Sequence, residues 1–239
     1  MSSGIGRRRL VAALTAAVAA VATGALSAPA TAGPLPDPAQ GLLDGLLDDL
    51  GGADVSLGPV DTTATLEAFA DTVVPGEKRH ARDHAIAGAT GGPGAVQAGA
   101  IDMLRLPELG LGPLMPALAG LLCTEATRYA LGRGKVLLPS RPAFVALDFG
   151  DRTRLTAQLT GPDAVDRQVW VLLALFASIA FDNAAHLHTV KALEQRHPGL
   201  AWLRFPAPDA DGLWRFPTYS YGKRLAREHP HTTAGGHPA

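Results

Sequence analysis

Leu66 Glu67 Ala68 Phe69 Ala70 Asp71 Thr72 Val73 Val74 runs straight into Pro75 and Gly76. Leu66, Phe69, Ala70 and Val73 recur at the 3.6-residue period, which predicts a helix with one apolar face. Asp61 or Thr63 can cap its start, and Pro75 cannot continue it, so its limits are set from both ends. Residues 75–94 mix Lys, Arg, His, Asp and Gly, the composition of a surface loop, and finish in a glycine turn, Gly91 Gly92 Pro93 Gly94. A second helix-like run follows with Val96, Ile101, Met103 and Leu104.

The same helical spacing recurs along the chain. Pro113 announces a helix that continues through Leu114, Leu118, Leu121, Leu122 and Tyr129 until Gly132 stops it. Arg141 to Gln158 reads as a turn followed by a further helix with Phe144, Leu147, Leu155 and Leu159 on its apolar side. The longest helical signal lies between Gly161 and Gly199. Within it Val169 to Phe181 is almost continuously apolar, so a central core helix buried on most sides is expected, closed by Pro198. Thirteen residues are too few to cross a bilayer core of about 30 Å. No strand ladder is legible. The expected fold is a mostly α-helical single domain over residues 61–222, with Leu66, Phe69, Val73, Leu118, Leu121, Trp170, Leu173, Phe176 and Ile179 in its core.

Two blocks of this sequence, Ala70 Asp71 Thr72 Val73 Val74 Pro75 and Gly94 Ala95 Val96 Gln97 Ala98 Gly99 Ala100 Ile101 Asp102, match a recurring pattern. They resemble the "Ala-Asp-x-Ile/Val-Ile/Val-Pro" and "Gly-Ala-x-x-Ala-Gly-x-Ile-Asp" blocks of the gluconate 2-dehydrogenase subunit 3 family. The motif positions carried over are Ala70, Asp71, Pro75, Gly94, Ala95, Gly99 and Asp102. That resemblance implies a small non-catalytic accessory subunit of a flavin-dependent dehydrogenase of the glucose-methanol-choline type. It also implies that FAD belongs to the partner subunit, whose maturation and export this chain would assist.

The first residues predict export. Arg7, Arg8 and Arg9 form a positive n-region, Leu10 to Leu26 an apolar h-region, and Ala30 Thr31 Ala32 a small-residue cleavage site, so residues 1–32 read as a signal peptide. The paired arginines followed by Leu10 and Val11 favour the twin-arginine route, although Gly6 stands where Ser or Thr is usual. Removing this segment takes away three arginines and no acids, which moves the formal charge from -1 to -4. A mildly acidic chain without a Lys/Arg cluster is not built to neutralise phosphates, so nucleic acid is not an expected partner. The expected location is outside the cell or in its envelope, with no stable membrane span once the signal is gone.

Chemistry-bearing motifs are sparse. One cysteine, Cys123, excludes an internal disulfide and a Cys-x-x-Cys-His haem site, and its place on an apolar helix face predicts a buried, inert thiol. His80 and His84, like Asp182 and His186, are four apart and share a helix face, but a zinc site needs three or four ligands. Asp182 most simply accepts from His186 or Lys191. There is no His-Glu-x-x-His, no Gly-x-Ser-x-Gly elbow, and no G-x-G-x-x-G spacing in Gly88 to Gly94. The expected catalytic, cofactor and metal sets in this chain are therefore empty. A metal- or acid/base-dependent enzyme would require Asp71, His80, His84, Asp182 or His186 to converge. A standalone secreted helical protein is the other rival.

Two flanking segments have their own texture. Residues 33–60 read as a Gly/Pro/Leu/Asp linker containing a near repeat, Gly41 Leu42 Leu43 Asp44 and Gly45 Leu46 Leu47 Asp48. Its leucines fall on one helical face while its glycines weaken the helix, which leaves a plain linker or a docking helix that orders on a partner. Toward the C-terminus, six of the thirteen aromatic residues fall within twenty positions: Trp202, Phe205, Trp214, Phe216, Tyr219 and Tyr221. Trp202, Trp214, Phe216, Tyr219 and Tyr221 are the candidate partner-binding residues, held by prolines in an irregular segment that either covers the core or faces a partner. Residues 223–239 read as a disordered tail.

Overall fold

In the computed structural model of this protein, residues 60–206 other than residue 165 are described. Eight α-helices, and no strand, are found among them: α1 Thr62–Val73, α2 Ala100–Leu104, α3 Met115–Gly132, α4 Ala143–Ala146, α5 Phe149–Thr160, α6 Arg167–Asn183, α7 Thr189–Glu194 and α8 Pro198–Trp202. Two 3₁₀ turns, Pro107–Leu109 and Gly112–Leu114, lead into α3. The chain divides into two units after Leu203. The α-helical expectation holds over the described residues. None of these helices is long and apolar enough to cross a membrane.

α1 begins where the sequence places it. The Asp61 carboxylate accepts the Ala64 N–H at 2.9 Å, and the helix stops one residue before Val74 and Pro75. Helix α1 packs against α2, α3, α4, α5 and α6, so it occupies the centre that the apolar run Val169 to Phe181 was expected to hold. That run forms the middle of α6 and is one-sided. Trp170, Leu173, Phe176 and Ala177 are buried, while Val171 and Leu175 face outward, Leu175 with 49% of its surface exposed. The tilted rings of Phe69, Phe144 and Trp170, with centroids 6.1 and 6.3 Å apart, join α1 to α4 and α6. Of the nine expected core residues, Leu66, Phe69, Leu118, Trp170, Leu173 and Phe176 are buried; Val73, Leu121 and Ile179 are half-buried against the same cluster.

Three expected helices are shorter than their patterns. The run from Val96 gives only the five residues of α2, because Gly99 adopts a left-handed φ of 80° immediately before it. Residues 141–158 are divided at Leu147, and the Asp148 side chain caps a new helix by accepting the Asp151 N–H at 2.8 Å. The long signal from Gly161 to Gly199 breaks at Ala184, which has a φ of 49°. Pro198 opens α8 rather than closing an element, since a first-turn proline forfeits no helical hydrogen bond. His197 caps that helix by accepting the Leu200 N–H at its Nδ1.

Candidate functional site

The loop between α1 and α2 is folded back on itself by a small number of buried polar groups. Asp71, in the last turn of α1, accepts the backbone N–H groups of Gly76 at 3.1 Å and Ala87 at 2.8 Å. Its carboxylate therefore ties the start and the middle of the loop to the helix. Burial pushes the Asp71 carboxyl above the usual range, while the two N–H donors and the Arg152 charge act in the opposite direction. The glycine turn is sewn to the proline stop by Ala95 N–H to Val74 O, Glu77 N–H to Gly92 O and a bridging Gln97, which donates to Glu77 O and accepts from Gly94 N–H. Backbones approach here so closely that a Cβ on Gly94 would stand 2.5 Å from the Gly76 nitrogen. Only glycine fits such an approach.

Arg152 on α5 locks this loop to the rest of the fold. It is 3% exposed and donates to four carbonyls: Ala85 at 2.6 Å, Val145 at 2.7 Å, His84 at 2.8 Å and Leu147 at 3.1 Å. Burial lowers its pKa, and Asp71, Asp148 and Asp83 partly offset that. Asp83 is held by Arg79 at 2.7 Å and by the Ile86 N–H; burial alone would raise its carboxyl, but these partners outweigh it and the result lies below the usual range. Arg79 in turn makes a two-pronged pair with Glu67.

A second polar group joins the end of α3 to the start of α5. Asp151 is buried and accepts from the Tyr129 hydroxyl at 2.9 Å, Arg154 at 3.0 Å and Lys135, which also reaches Asp148 at 3.1 Å. With both oxygens occupied by donors, Asp151 acts as a tie between α3, its following loop and α5.

Beside this tie, the loop after α3 carries an apolar pocket of about 250 Å³ lined by Ala130, Leu131, Val136, Leu138, Pro139 and Arg141, among others. Its rim is unusually apolar for an exposed loop: Leu131, Val136 and Leu138 are 68%, 97% and 55% exposed. Nothing in the helical periodicity picks out this loop; the signal available was the run Val136 Leu137 Leu138 between Lys135 and Pro139.

The sequence-picked residues fall into separate places. Ala70, Asp71, Gly94 and Ala95 are buried in the α1–α2 module, Pro75 is half-buried at its turn, and Asp102 is on the surface, 3.8 Å from Arg105. Gly99 carries His186 directly above it, so that a Cβ there would meet the ring Nε2 at 2.5 Å. His80, His84 and Asp182 are exposed, and among the described residues no three His, Cys, Asp or Glu side chains gather closely enough to share a metal ion. Asp182 does not bond His186 or Lys191, contrary to the expectation. Ala184 ends α6 between Asp182 and His186, so the two do not share a helix face, and His186 turns toward Gly99 and His197 instead. Cys123 is buried as expected, with its sulfur 3.8 Å from the Thr65 hydroxyl. Trp202 is 59% exposed and its ring rests on Gly92; Trp214, Phe216, Tyr219 and Tyr221 lie outside the described residues.

The two histidines of this corner differ. His197 is satisfied on both nitrogens, by Ala98 O at 2.9 Å and by the Leu200 N–H. His186 has a buried Nδ1 with no hydrogen-bond partner, 5.6 Å ring to ring from His197. Burial first, then His197, holds its pKa below the usual histidine range, with Asp102 pulling the other way. A histidine kept neutral by the fold contributes stability that is complete above its unfolded pKa and lost as pH falls through the folded value. Stability is therefore expected to decline below about pH 6.5, and His186→Gln should flatten that decline in denaturant titrations repeated across pH.

The chain belongs to DUF5987, a family of unknown function, whose model matches residues 60–239. No curated protein and no solved structure matches it.

Proposed function

We propose that this protein is an exported, non-catalytic accessory subunit that binds a flavin-dependent dehydrogenase of the glucose-methanol-choline type and assists its maturation. The observation that carries the reading is structural economy in the two blocks resembling gluconate 2-dehydrogenase subunit 3. Ala70 to Pro75 and Gly94 to Asp102 lie on either side of the loop, yet they meet through the Ala95 N–H to Val74 O bond and the close approach of Gly94 to Pro75 and Gly76. A shared scaffold is what two related accessory subunits would keep while their partners' chemistry stays in the other chain. The flavin, in this reading, is inserted into the partner in the cytoplasm, and the twin-arginine signal carries the folded pair outward.

The partner contact is assigned to the aromatic segment from Trp202 to Tyr221, whose described member Trp202 presents a broad exposed ring beside exposed Leu203. Aromatic residues are the side chains from which interface hot spots are most often built. Trp214→Ala or Tyr219→Ala should weaken the complex by about 2 kcal/mol, roughly thirtyfold in Kd, while leaving the melting temperature of the isolated chain unchanged. Unaltered affinity in both variants would place the contact elsewhere.

A further inference from the structure

The corner that follows α6 is built unlike the rest of the fold. Residues 184–203 carry a small cluster of their own, in which Ala184, Ala192 and Leu200 are buried and Leu187 and Leu193 half-buried, with no aromatic side chain among them. So little buried apolar surface makes this a unit of low local stability. It leaves α6 at Ala184, whose left-handed φ of 49° an alanine holds only under the packing around it. The corner is seated by close approach to glycines rather than by bulk. The Trp202 ring lies over Gly92, where a Cβ would stand 2.7 Å from it; the His186 ring lies over Gly99; and Gly199 lets α8 come against the Phe181 carbonyl near the end of α6. A side-chain hydrogen bond, His197 Nε2 to Ala98 O at 2.9 Å, ties the start of α8 to the residue before Gly99.

These contacts fit two neutral imidazoles. His197 Nδ1 accepts the Leu200 N–H, so its proton sits on Nε2 and is donated to Ala98 O; a second proton, on Nδ1, would face the Leu200 N–H. His186 Nδ1 is buried without a partner, so the neutral ring keeps its proton on Nε2, whereas an imidazolium must bury an unmet N–H together with its charge. The two rings are 5.6 Å apart, and a charge on His197 opposes one on His186. Asp102 on α2 attracts a charge on His186, but it is exposed and lies 3.8 Å from Arg105. The other charged groups around the corner, Asp182 at the end of α6, His188, Lys191 and Glu194 at α7 and Arg196 after it, are all exposed, and α8 carries none.

We propose that residues 185–203 form an acid-released flap: protonation of His186 lifts α7 and α8 from the turn at residues 92–99 while α1 to α6 stay folded. The sign follows from where the proton is taken up. The closed corner opposes the imidazolium, and the open corner, with His186 in water, accepts it, so acid favours opening and neutral pH favours closure. Opening frees the faces of Gly92 and Gly99 and the Ala98 carbonyl. These belong to the module that Asp71 and Gln97 hold together from within, so the surface uncovered keeps its shape when the flap leaves. The device acts within one chain and does not depend on the identity of any partner.

Amide hydrogen exchange of the intact chain tests this. Amides of α7 and α8 should exchange faster than the slowest amides of α1, through an opening less sensitive to denaturant, because a local opening exposes less surface than global unfolding. Their protection, corrected for intrinsic exchange, should fall at least about tenfold from about pH 7.5 to about pH 5, under a ceiling near about thirtyfold for one histidine whose open-state pKa is about 6.5. In His186→Phe and His186→Gln, neither of which can take up the proton, the fall should shrink to about threefold or less. The parent chain supplies a check that does not depend on how either variant packs: the fall should continue down to the pH at which the ring resonance of native His186 titrates, and level off there. Exchange of α7 and α8 at the rate and denaturant dependence of α1, protection indifferent to pH, an undiminished fall in both variants, or a ring titration well away from the end of the fall would each overturn the proposal.

Discussion

Arg152→Leu is expected to be the most damaging single substitution in the described fold, costing at least about 3–5 kcal/mol, a large share of the total stability of a typical domain. Its guanidinium supplies donors to the carbonyls of His84, Ala85, Val145 and Leu147, and leucine supplies none. Buried carbonyls left without donors each cost about 1–3 kcal/mol, although partial relaxation toward water recovers some of it. Arg152→Lys should rescue little, because an ammonium is a point donor and cannot reproduce the planar fork that spans four acceptors. Chemical denaturation of the three proteins checks this. A lysine variant as stable as the parent would mean that the four carbonyls are satisfied in some other way.

Trp170→Ala should cost about 3–5 kcal/mol, through lost burial and the cavity left beside Phe69. Leu175→Ala, one turn away on the outward side of the same helix, should change stability by no more than about 0.5 kcal/mol. The contrast matters more than either value, because the sequence run Val169 to Phe181 is apolar at both positions. Equal denaturation midpoints for the two variants would contradict the one-sided packing of α6.

That contrast also marks what the sequence could and could not convey. α1 and α3 were legible with their limits because each has a clear apolar period and chemical punctuation: Asp61 and Pro75 for one, Pro113 and Gly132 for the other. Core membership followed from the same period. The divisions at Leu147 and Ala184 were not legible, since neither residue is a helix breaker and the breaks arise from tertiary packing and from caps such as Asp148. Pro198 was read as a stop because proline ends helices more visibly than it begins them, yet the His197 cap just before it made a start equally available.

Sites were less legible than elements. Asp71 was singled out by a motif, but its bonds to Gly76 and Ala87 depend on how the loop closes, and the role of Arg152 had no local signal at all: its four acceptors lie up to 68 residues away. Both are scaffold contacts in the described fold. The pairing of Asp182 with His186 failed because spacing of four residues brings side chains together only while the helix continues. The groove at Leu131 to Arg141 was hidden for a related reason, since a loop has no period from which exposure can be read.

The central claim is that this chain works by binding a flavoprotein partner. The measurement that tests it most directly is affinity purification of the tagged protein from its native host, with the exported fraction analysed for co-purifying chains and for flavin absorbance. The account predicts recovery of this chain beginning at Gly33 in roughly equal amount with one larger subunit that carries the flavin and all of the dehydrogenase activity. Recovery of the chain alone, or turnover of substrate by the isolated chain, would contradict it.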